Sequence, residues 1–422
     1  MPNASNIVVR GVENADELRR ANDLMAKTHC MDYFRGLEWL EKVGRQYPNF
    51  LIEHTRIALH DGDLAGALRL NTETIRIGEA RLKMGGFGWV TTDGRHRRKG
   101  VALALIRDTM HYMKRHGYHV SMLFGIPNFY HRFGFVTTLA DYAIVVGTGE
   151  AATTLRGAWK LRDAKPSDIR AIQKLHNAND AHVACSLLRS AAHITNKWDN
   201  WRTHLHVMTT AQGKVVAYCH AHPGDGELLV DDLGLEPAAQ ARPTPSVYGS
   251  AEAGLAVALL KACSDLAAQE HAGRLRFQLP PPHPFARFLL QYTSTHEMRL
   301  VRDRGGMMAF VDLDEALESM IPEWESRLTA SVARDERIEL TLVVDRAPYR
   351  VRANRGAVDV ALASGTNKVS LTAGELMHLV TGYRYAPDVL AARRRSMTAQ
   401  SRTFFNILFP KRHPYVWHFD RF

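Results

Sequence analysis

The stretch RRKGVALALIRD, residues 97–108, sets Arg97, Arg98 and Lys99 against Gly100 at the mouth of an apolar helical pattern. A helix start normally favours acids, because its unpaired N–H groups and dipole present partial positive charge. Three cations stacked there call for a strongly anionic partner. Gly100 lets the backbone approach a ligand, the turn N–H groups converge on phosphate oxygens, and Val101 and Ala102 begin the helix, with Ala102 keeping its first turn small. The cations add charge-assisted bonds to phosphate. A basic surface turn is the plainer reading of so short a pattern.

The neighbouring residues favour the ligand. KMGGFGWVTTD precedes the turn as a glycine-rich strand, in which Gly88, Trp89 and Val90 expose backbone groups to a molecule lying alongside. After the helix comes a strand and then FYHRFGF, residues 129–135, with Tyr130 among Phe129, Phe133 and Phe135. Tyr130 reads either as a hydroxyl donor or as one more core aromatic. His131 titrates near neutrality but sits beside Tyr130 on a helix and points elsewhere. No His, Cys or carboxylate cluster has the spacing of a metal site.

The elements that must position these residues form an α/β pattern. IVVRGV is a strand, DELRRANDLMAKTHC an amphipathic helix, and GLEWLEKVGRQ a second helix. FLIEHTRIALHDG and DLAGALRLNTETIRIG are strands joined by an Asp-Gly turn signal. After the basic turn and its helix, HVSMLFG and YAIVVG are further strands. The same succession begins again at WKLRDAKPSDIRAIQKLHN, where Ser167 or Asp168 caps a helix. It continues through VMTTAQGKVVAYCHA, ELLVDDLGL, the helix AGLAVALLKACSDLAAQEH and LRFQL, with MRLVRD and GMMAFVDL as a closing hairpin. We read this as an internal duplication. In the second copy Glu252 stands near the place of the cationic turn and would repel an anion. His283, in PPPHPF, is expected to build a turn. A third region, from DLDEALESMIPEWESRL through the meander RIELTLVVDRAPYRVRANRGAVDVALASG, suggests a small α+β domain.

Composition bounds the remaining classes. The chain has 422 residues, 45% hydrophobic and 23% charged, with a net charge of +10. That length implies two or three domains. The basic residues are scattered, and the densest run, Arg393–Arg394–Arg395, lies in a helical pattern without interleaved aromatics, so no nucleic acid is expected. Cys30, Cys185, Cys219 and Cys263 are far apart, which fits reduced thiols in a cytoplasm. Neither a signal-peptide core nor a membrane-spanning run of apolar residues is present.

Strand, basic glycine turn, helix, strand and Tyr-x-x-Phe-Gly-Phe in succession resemble the GNAT superfamily of acetyl-coenzyme-A-dependent N-acetyltransferases. The resemblance covers residues 1–150 and, in degenerate form, 157–313. With residues 314–422 as a sterol-carrier-protein-like domain, the whole chain resembles the enhanced-intracellular-survival (Eis) family of bacterial acetyltransferases. The fold expected is therefore α/β (α+β), two tandem mixed-sheet units followed by an α+β domain.

The resemblance implies roles residue by residue. The turn Arg97, Arg98, Lys99, Gly100, Val101 and Ala102 would hold the pyrophosphate of acetyl-coenzyme A. Trp89 and Val90 would bond its pantetheine arm through their backbone, Tyr130 would act as general acid, and the terminal carboxylate of Phe422 would enter the active site. Free tyrosine, with a pKa of about 10, loses its proton less readily than a thiol of about 8.5, so full transfer is uphill by about 2 kcal/mol. Tyr130 is better read as a donor to the developing thiolate. A carboxylate at Phe422 is a poor base for an ammonium, and orients it or works through water. His418, Asp420 and Arg421 make the tail more charged than the family's, which leaves its path open. The implied activity is acetyl transfer to a primary amine of a small molecule, aminoglycoside-like or polyamine, by a cytoplasmic hexamer without metal. The alternatives are a lysine acetyltransferase acting on proteins or peptides, and a lipid-carrier-like regulatory protein with a vestigial enzyme.

Overall fold

The structure, a computed structural model, describes residues 7–152, 159–237, 251–393 and 395–422, and the side chains of all of these except 43–45 and 251–253. It opens with β1 (Ile7–Gly11), α1 (Ala15–His29) and α2 (Tyr33–Gln46). Helix α1 is capped by the Asn14 side chain, carries Asp16 and Glu17 in its first turn, and buries Leu18, Ala21, Asn22, Met25 and Ala26 at helical spacing. The run FLIEHTRIALH is not strand throughout. A 3-10 turn occupies Ile52–His54, and β2 (Thr55–His60) starts after it. Asp61 and Gly62 then take φ of 55° and 90°, the left-handed pair that a two-residue hairpin requires, and lead into β3 (Asp63–Ile77). β4 (Ala80–Thr92), α3 (Val101–Arg115), β5 (Val120–Gly125) and β6 (Val136–Thr137) follow.

A second compact unit comprises residues 140–300 and 413–421; the first comprises residues up to 139, 301–412 and Phe422. The second unit contains β7 (Asp141–Gly147), α4 (Thr148–Ala152), β8 (Lys160–Asp163), α5 (Ile169–Asn179) and α6 (Ala191–Trp201). β9 (Leu205–Thr209), β10 (Val215–Pro223), β11 (Glu227–Leu235), α7 (Ala251–Gln269), β12 (Arg274–Phe277), α8 (Pro284–Leu289) and β13 (Ser294–Arg299) complete it. Asp168 is the N-cap of α5, and His283 caps α8 by accepting from Phe285 N–H, the turn-building role expected of it. Glu252 lies in the first turn of α7, but its side chain is outside the described residues.

Returning to the first unit, the chain forms β14 (Gly305–Phe310), α9 (Leu313–Ser319) and α10 (Ile321–Thr329). A meander of β15 (Arg337–Val344), β16 (Ala347–Asn354) and β17 (Ala357–Leu362) leads to β18 (Lys368–Leu371). α11 (Ala373–Val380), α12 (Ala386–Ala391), β19 (Arg395–Ser396) and α13 (Ala399–Leu408) end the unit. A reciprocal Thr372–Glu375 capping box starts α11. Of the basic run, Arg393 and Arg395 are not helical, Arg393 pairing with Glu375 and Arg395 opening β19, and Arg394 lies outside the described residues. Among the described residues no helix is long and apolar enough to cross a membrane.

Three sheets result, so the protein is of mixed α/β class. The first runs β1-β2-β3-β4-β5-β14-β6, the second β8-β9-β10-β11-β12-β7-β13, and the third β17-β16-β15-β18-β19. In both seven-stranded sheets an antiparallel run of four strands meets a parallel neighbour, β4 with β5 and β11 with β12. The duplication read from the sequence is thus repeated in strand order. The expected closing hairpin is not formed. β13 pairs with β7 in the second sheet, whereas β14 pairs with β5 and β6 in the first, and YAIVVG supplies β7 to the second sheet. Each sheet covers the open edge of its inner parallel strand with an antiparallel strand from the other half of the sequence. In the first unit α3 lays Leu105, Ile106, Tyr112 and Met113 against Leu68, Leu70, Phe87 and Leu123.

Candidate active site

The parallel pairing of β4 with β5 runs from Met84–Val120 to Phe87–Leu123 and stops, while β4 continues to Thr92 and β5 to Gly125. A bulge in β4 marks the parting. Against β3, Ala67 faces Thr91 and Arg69 faces Gly88, so β4 holds one residue more, and Trp89 takes a φ of 57°. Trp89 is kept there by Trp39 (ring centroids 5.3 Å) and the edge of His29 (5.8 Å). The Val90 carbonyl lies 3.3 Å from His29 Nε2, and the Trp89 carbonyl accepts from the Thr91 hydroxyl at 2.8 Å. The carbonyls of Trp89 and Val90, whose backbone was expected to bond a ligand, are thus already engaged by side chains.

The basic turn stands just beyond the end of β4. Arg98 (φ 62°) and Gly100 (φ 86°) are both left-handed, and Gly100, the N-cap of α3, offers no capping side chain. The first turn of α3 contains no acid. Arg97, Arg98 and Lys99 are exposed, and none forms an ion pair among the described residues, whereas Arg95 is held by Asp93 at 3.1 Å. The local charge is therefore uncompensated where the helix field is also positive.

A cavity of about 300 Å³ opens at this point, and Thr92, His96, Arg97, Arg98, Gly100 to Leu103, Phe129, Arg132 and Phe133 line it. The structure thus brings the turn and the FYHRFGF segment together, with Lys99 beside the cavity but outside its lining. Among the lining residues that escaped the sequence reading are three polar ones. Thr92 ends β4. His96 is buried with its Nδ1 3.2 Å from that of His60. Arg132 adds a further cation, stacked on Phe129 with 5.2 Å to the ring centroid. Arg132 was visible inside the quoted segment, three residues after Phe129, but its direction depends on the 3-10 turn at Tyr130–Phe133. His131 is exposed.

Tyr130 packs its ring over Gly125, where a Cβ would meet Tyr130 Cδ2 at 2.5 Å, and against Phe129 and Phe135. Burial pushes its pKa up to about 12. Among the described residues its hydroxyl has no hydrogen-bond partner. The Phe422 ring covers Gly86, where any Cβ would collide with it, and meets Phe124 edge-on at 6.0 Å. The Phe422 main-chain carbonyl carbon would be 3.5 Å from a Cβ on Gly88. Tyr130 thus lies at the end of β5, and Phe422 lies over the last paired residues of β4.

These strands, this turn and this helix lie within a segment of known type. Residues 22–138 match the acetyltransferase (GNAT) domain. No curated protein matches the chain significantly. Among solved structures, a GCN5-related N-acetyltransferase from Anabaena variabilis superposes with a TM-score of 0.74 at 13% identity, covering 99% of this chain and 100% of that one. A probable N-acyltransferase from Enterococcus faecalis gives 0.75 at 14% identity, and Eis1 from Mycobacterium abscessus 0.65 at 15%, each with 99% and 100% coverage. At such identities the likeness is one of fold.

The second unit has the corresponding parting but fills it. β11 and β12 pair from Glu227–Arg274 to Val230–Phe277. Just past that end, Tyr415 donates to the Gln278 carbonyl at 3.0 Å, and Trp417 packs on His283 and donates to Asp180 at 2.7 Å. Both aromatics belong to that unit's core. The charged tail residues are anchors. Asp420 accepts two bonds from buried Arg189, at 2.8 and 2.9 Å, and Arg421 pairs with Asp141 at 2.7 Å. A larger cavity of about 510 Å³ in this unit, between α7 and β8, is mostly apolar apart from Lys261, Asp265 and Gln269, the first two paired with each other. One side-chain cluster there was invisible to linear spacing: His220, His222 and Asp231, whose ligand atoms lie within 4.8 Å of one another.

Proposed function

We propose that the protein is an N-acetyltransferase that moves an acetyl group from acetyl-coenzyme A to a primary amine of a small molecule by direct attack. The observation that carries this reading is an uncapped, acid-free helix start whose exposed cations Arg97 and Arg98 share one cavity with Phe129 and Arg132, the neighbours of Tyr130, inside a segment matching the GNAT domain. The cavity suits a pyrophosphate: left-handed Gly100 opens the helix start, Val101 and Ala102 line the cavity, and Arg97, Arg98 and Arg132 face it. Lys99 adds charge at the rim. The backbone of Trp89 and Val90 serves the pantetheine arm in this reading only where its carbonyls accept a second bond beside those from Thr91 and His29. When bound, acetyl-coenzyme A supplies the acetyl thioester.

The chain's own groups then have separate tasks. With its pKa raised to about 12, Tyr130 keeps its proton at any physiological pH and donates a hydrogen bond where charge develops on the leaving sulfur. A carboxylate at Phe422 attracts and orients the ammonium form of the acceptor, which must lose a proton before attack, through water or directly. Only the first unit works in this scheme, since Tyr415 and Trp417 close the second. A sterol-carrier-like third region and assembly into a hexamer belong to the same reading, and light scattering tests the latter. The deciding experiment is an acetyl-transfer screen over aminoglycosides, polyamines and lysine peptides. Turnover of the first two classes supports the proposal. Turnover of peptides alone would move the acceptor to protein lysines, and no turnover with any amine would remove the activity.

A further inference from the structure

We propose that the second unit holds a transition-metal site of zinc type, built by His220, His222 and Asp231. His220 and His222 are two residues apart on β10 and so share one face of the strand. The register with β11 shifts beside them: His220 faces Asp232 and Ala221 faces Val230, which leaves Asp231 as an extra residue in β11. That bulge divides the work of two consecutive acids. Asp232 accepts from Tyr218 at 2.8 Å and also binds Arg189, while Asp231 turns to the histidines. One Asp231 oxygen lies 2.6 Å from His220 Nδ1 and the other 3.5 Å from His222 Nε2.

Two imidazoles and a carboxylate are the donor set of many zinc sites. Donors around a tetrahedral ion with bonds of about 2.0–2.1 Å sit roughly 3.4 Å apart, and here all three lie within 4.8 Å of one another. Entry of the ion requires a small opening of the His220–Asp231 contact and replaces the proton now shared there. A fourth ligand is at hand in His204, whose ring centroid is 6.1 Å from that of His220 and 6.0 Å from that of His222. His204 ends the turn before β9, so a bound ion would tie that turn to β10 and β11. The three ligands are half-buried, open enough for exchange and shielded enough to hold an ion. None of these residues has a task in acetyl transfer, so the inference stands apart from the proposed function.

The test is calorimetric titration of the full, chelator-treated protein with Zn²⁺, with thermal melts alongside. We expect one ion per chain at micromolar affinity or tighter, and a Tm that rises with Zn²⁺. His222→Gln and Asp231→Asn should each weaken binding at least tenfold and abolish the rise. The His222 side chain is 30% exposed, so His222→Gln should fold and decides the matter if Asp231→Asn does not. Co²⁺ in place of Zn²⁺ should give the intense visible bands of a tetrahedral ion in the parent protein alone. No saturable binding, or binding and Tm shift unchanged in His222→Gln, overturns the site.

Discussion

At the scale of single residues, Tyr130 and Phe422 carry the sharpest expectations. Tyr130→Phe should lower kcat about a hundredfold, the lower range for a positioned proton donor, and leave acetyl-coenzyme A affinity within a few-fold. A variant that keeps its rate and loses binding would show Tyr130 to be packing only. The pH profile gives an independent check. Raising an acid's pKa extends its protonated form upward, so with a value of about 12 the Tyr130 hydroxyl remains a donor throughout pH 8–10. No loss of kcat over that range should trace to this group, and an alkaline limb absent from Tyr130→Phe would contradict the value. For Phe422, the ring's seat on Gly86 offers a handle. Gly86→Val places side-chain atoms where that ring lies and should cut kcat at least tenfold without lowering Tm by more than a few degrees. Amidation of the carboxyl at Phe422 should do the same with no change of shape. Turnover unaffected by amidation would leave the aromatic ring, not the charge, as the feature that matters.

Single elements show what periodicity and turn chemistry can reveal. The helix after Gly100 and the Asp61-Gly62 hairpin were legible, because each is decided by residues a few positions apart. The bulge at Trp89 was not, since it depends on how β3 and β4 slide against one another. The metal-ligand cluster escaped for the same reason, with ligands on two strands brought level by an irregular register. The cationic turn is the element whose role can be tested alone. Arg97→Glu with Arg98→Glu should weaken acetyl-coenzyme A binding at least tenfold, because each charge-assisted phosphate contact is worth roughly 1.5–3 kcal/mol and tenfold is about 1.4. Calorimetry with unchanged affinity, or with two equivalent sites per chain, would remove the pyrophosphate from this turn.

Over the whole molecule, the tail was the part least readable from sequence. His418, Asp420 and Arg421 looked out of place because their partners, Arg189 and Asp141, lie more than two hundred residues away in the chain. The same buried region makes stability depend on pH. Asp180 accepts from Trp417 with one oxygen, the other has no partner among the described residues, and burial raises its pKa to about 7. Between about pH 4 and 7 the folded chain therefore holds a proton that the unfolded chain has released, so this group's contribution falls as pH rises through that window. Asp180→Asn keeps an oxygen for Trp417 and removes the charge. It should change stability little at pH 4 and raise it above pH 7, by up to about 1.4 kcal/mol for each unit of the pKa rise; a lower Tm at pH 8 would show that the ionised carboxylate is needed.

The exchange of β7 and β14 also sets a timetable. β5 ends at Gly125, but the strand that covers its edge ends only at Phe310. At roughly 5–20 residues per second, a ribosome needs about ten to forty seconds to make the intervening chain. Throughout that interval the nascent first sheet presents a bare inner strand, and β7 waits for partners not yet synthesised. The order of synthesis is not the order of closure, which makes this a chain whose yield in the cell should depend on chaperones that shelter open sheet edges.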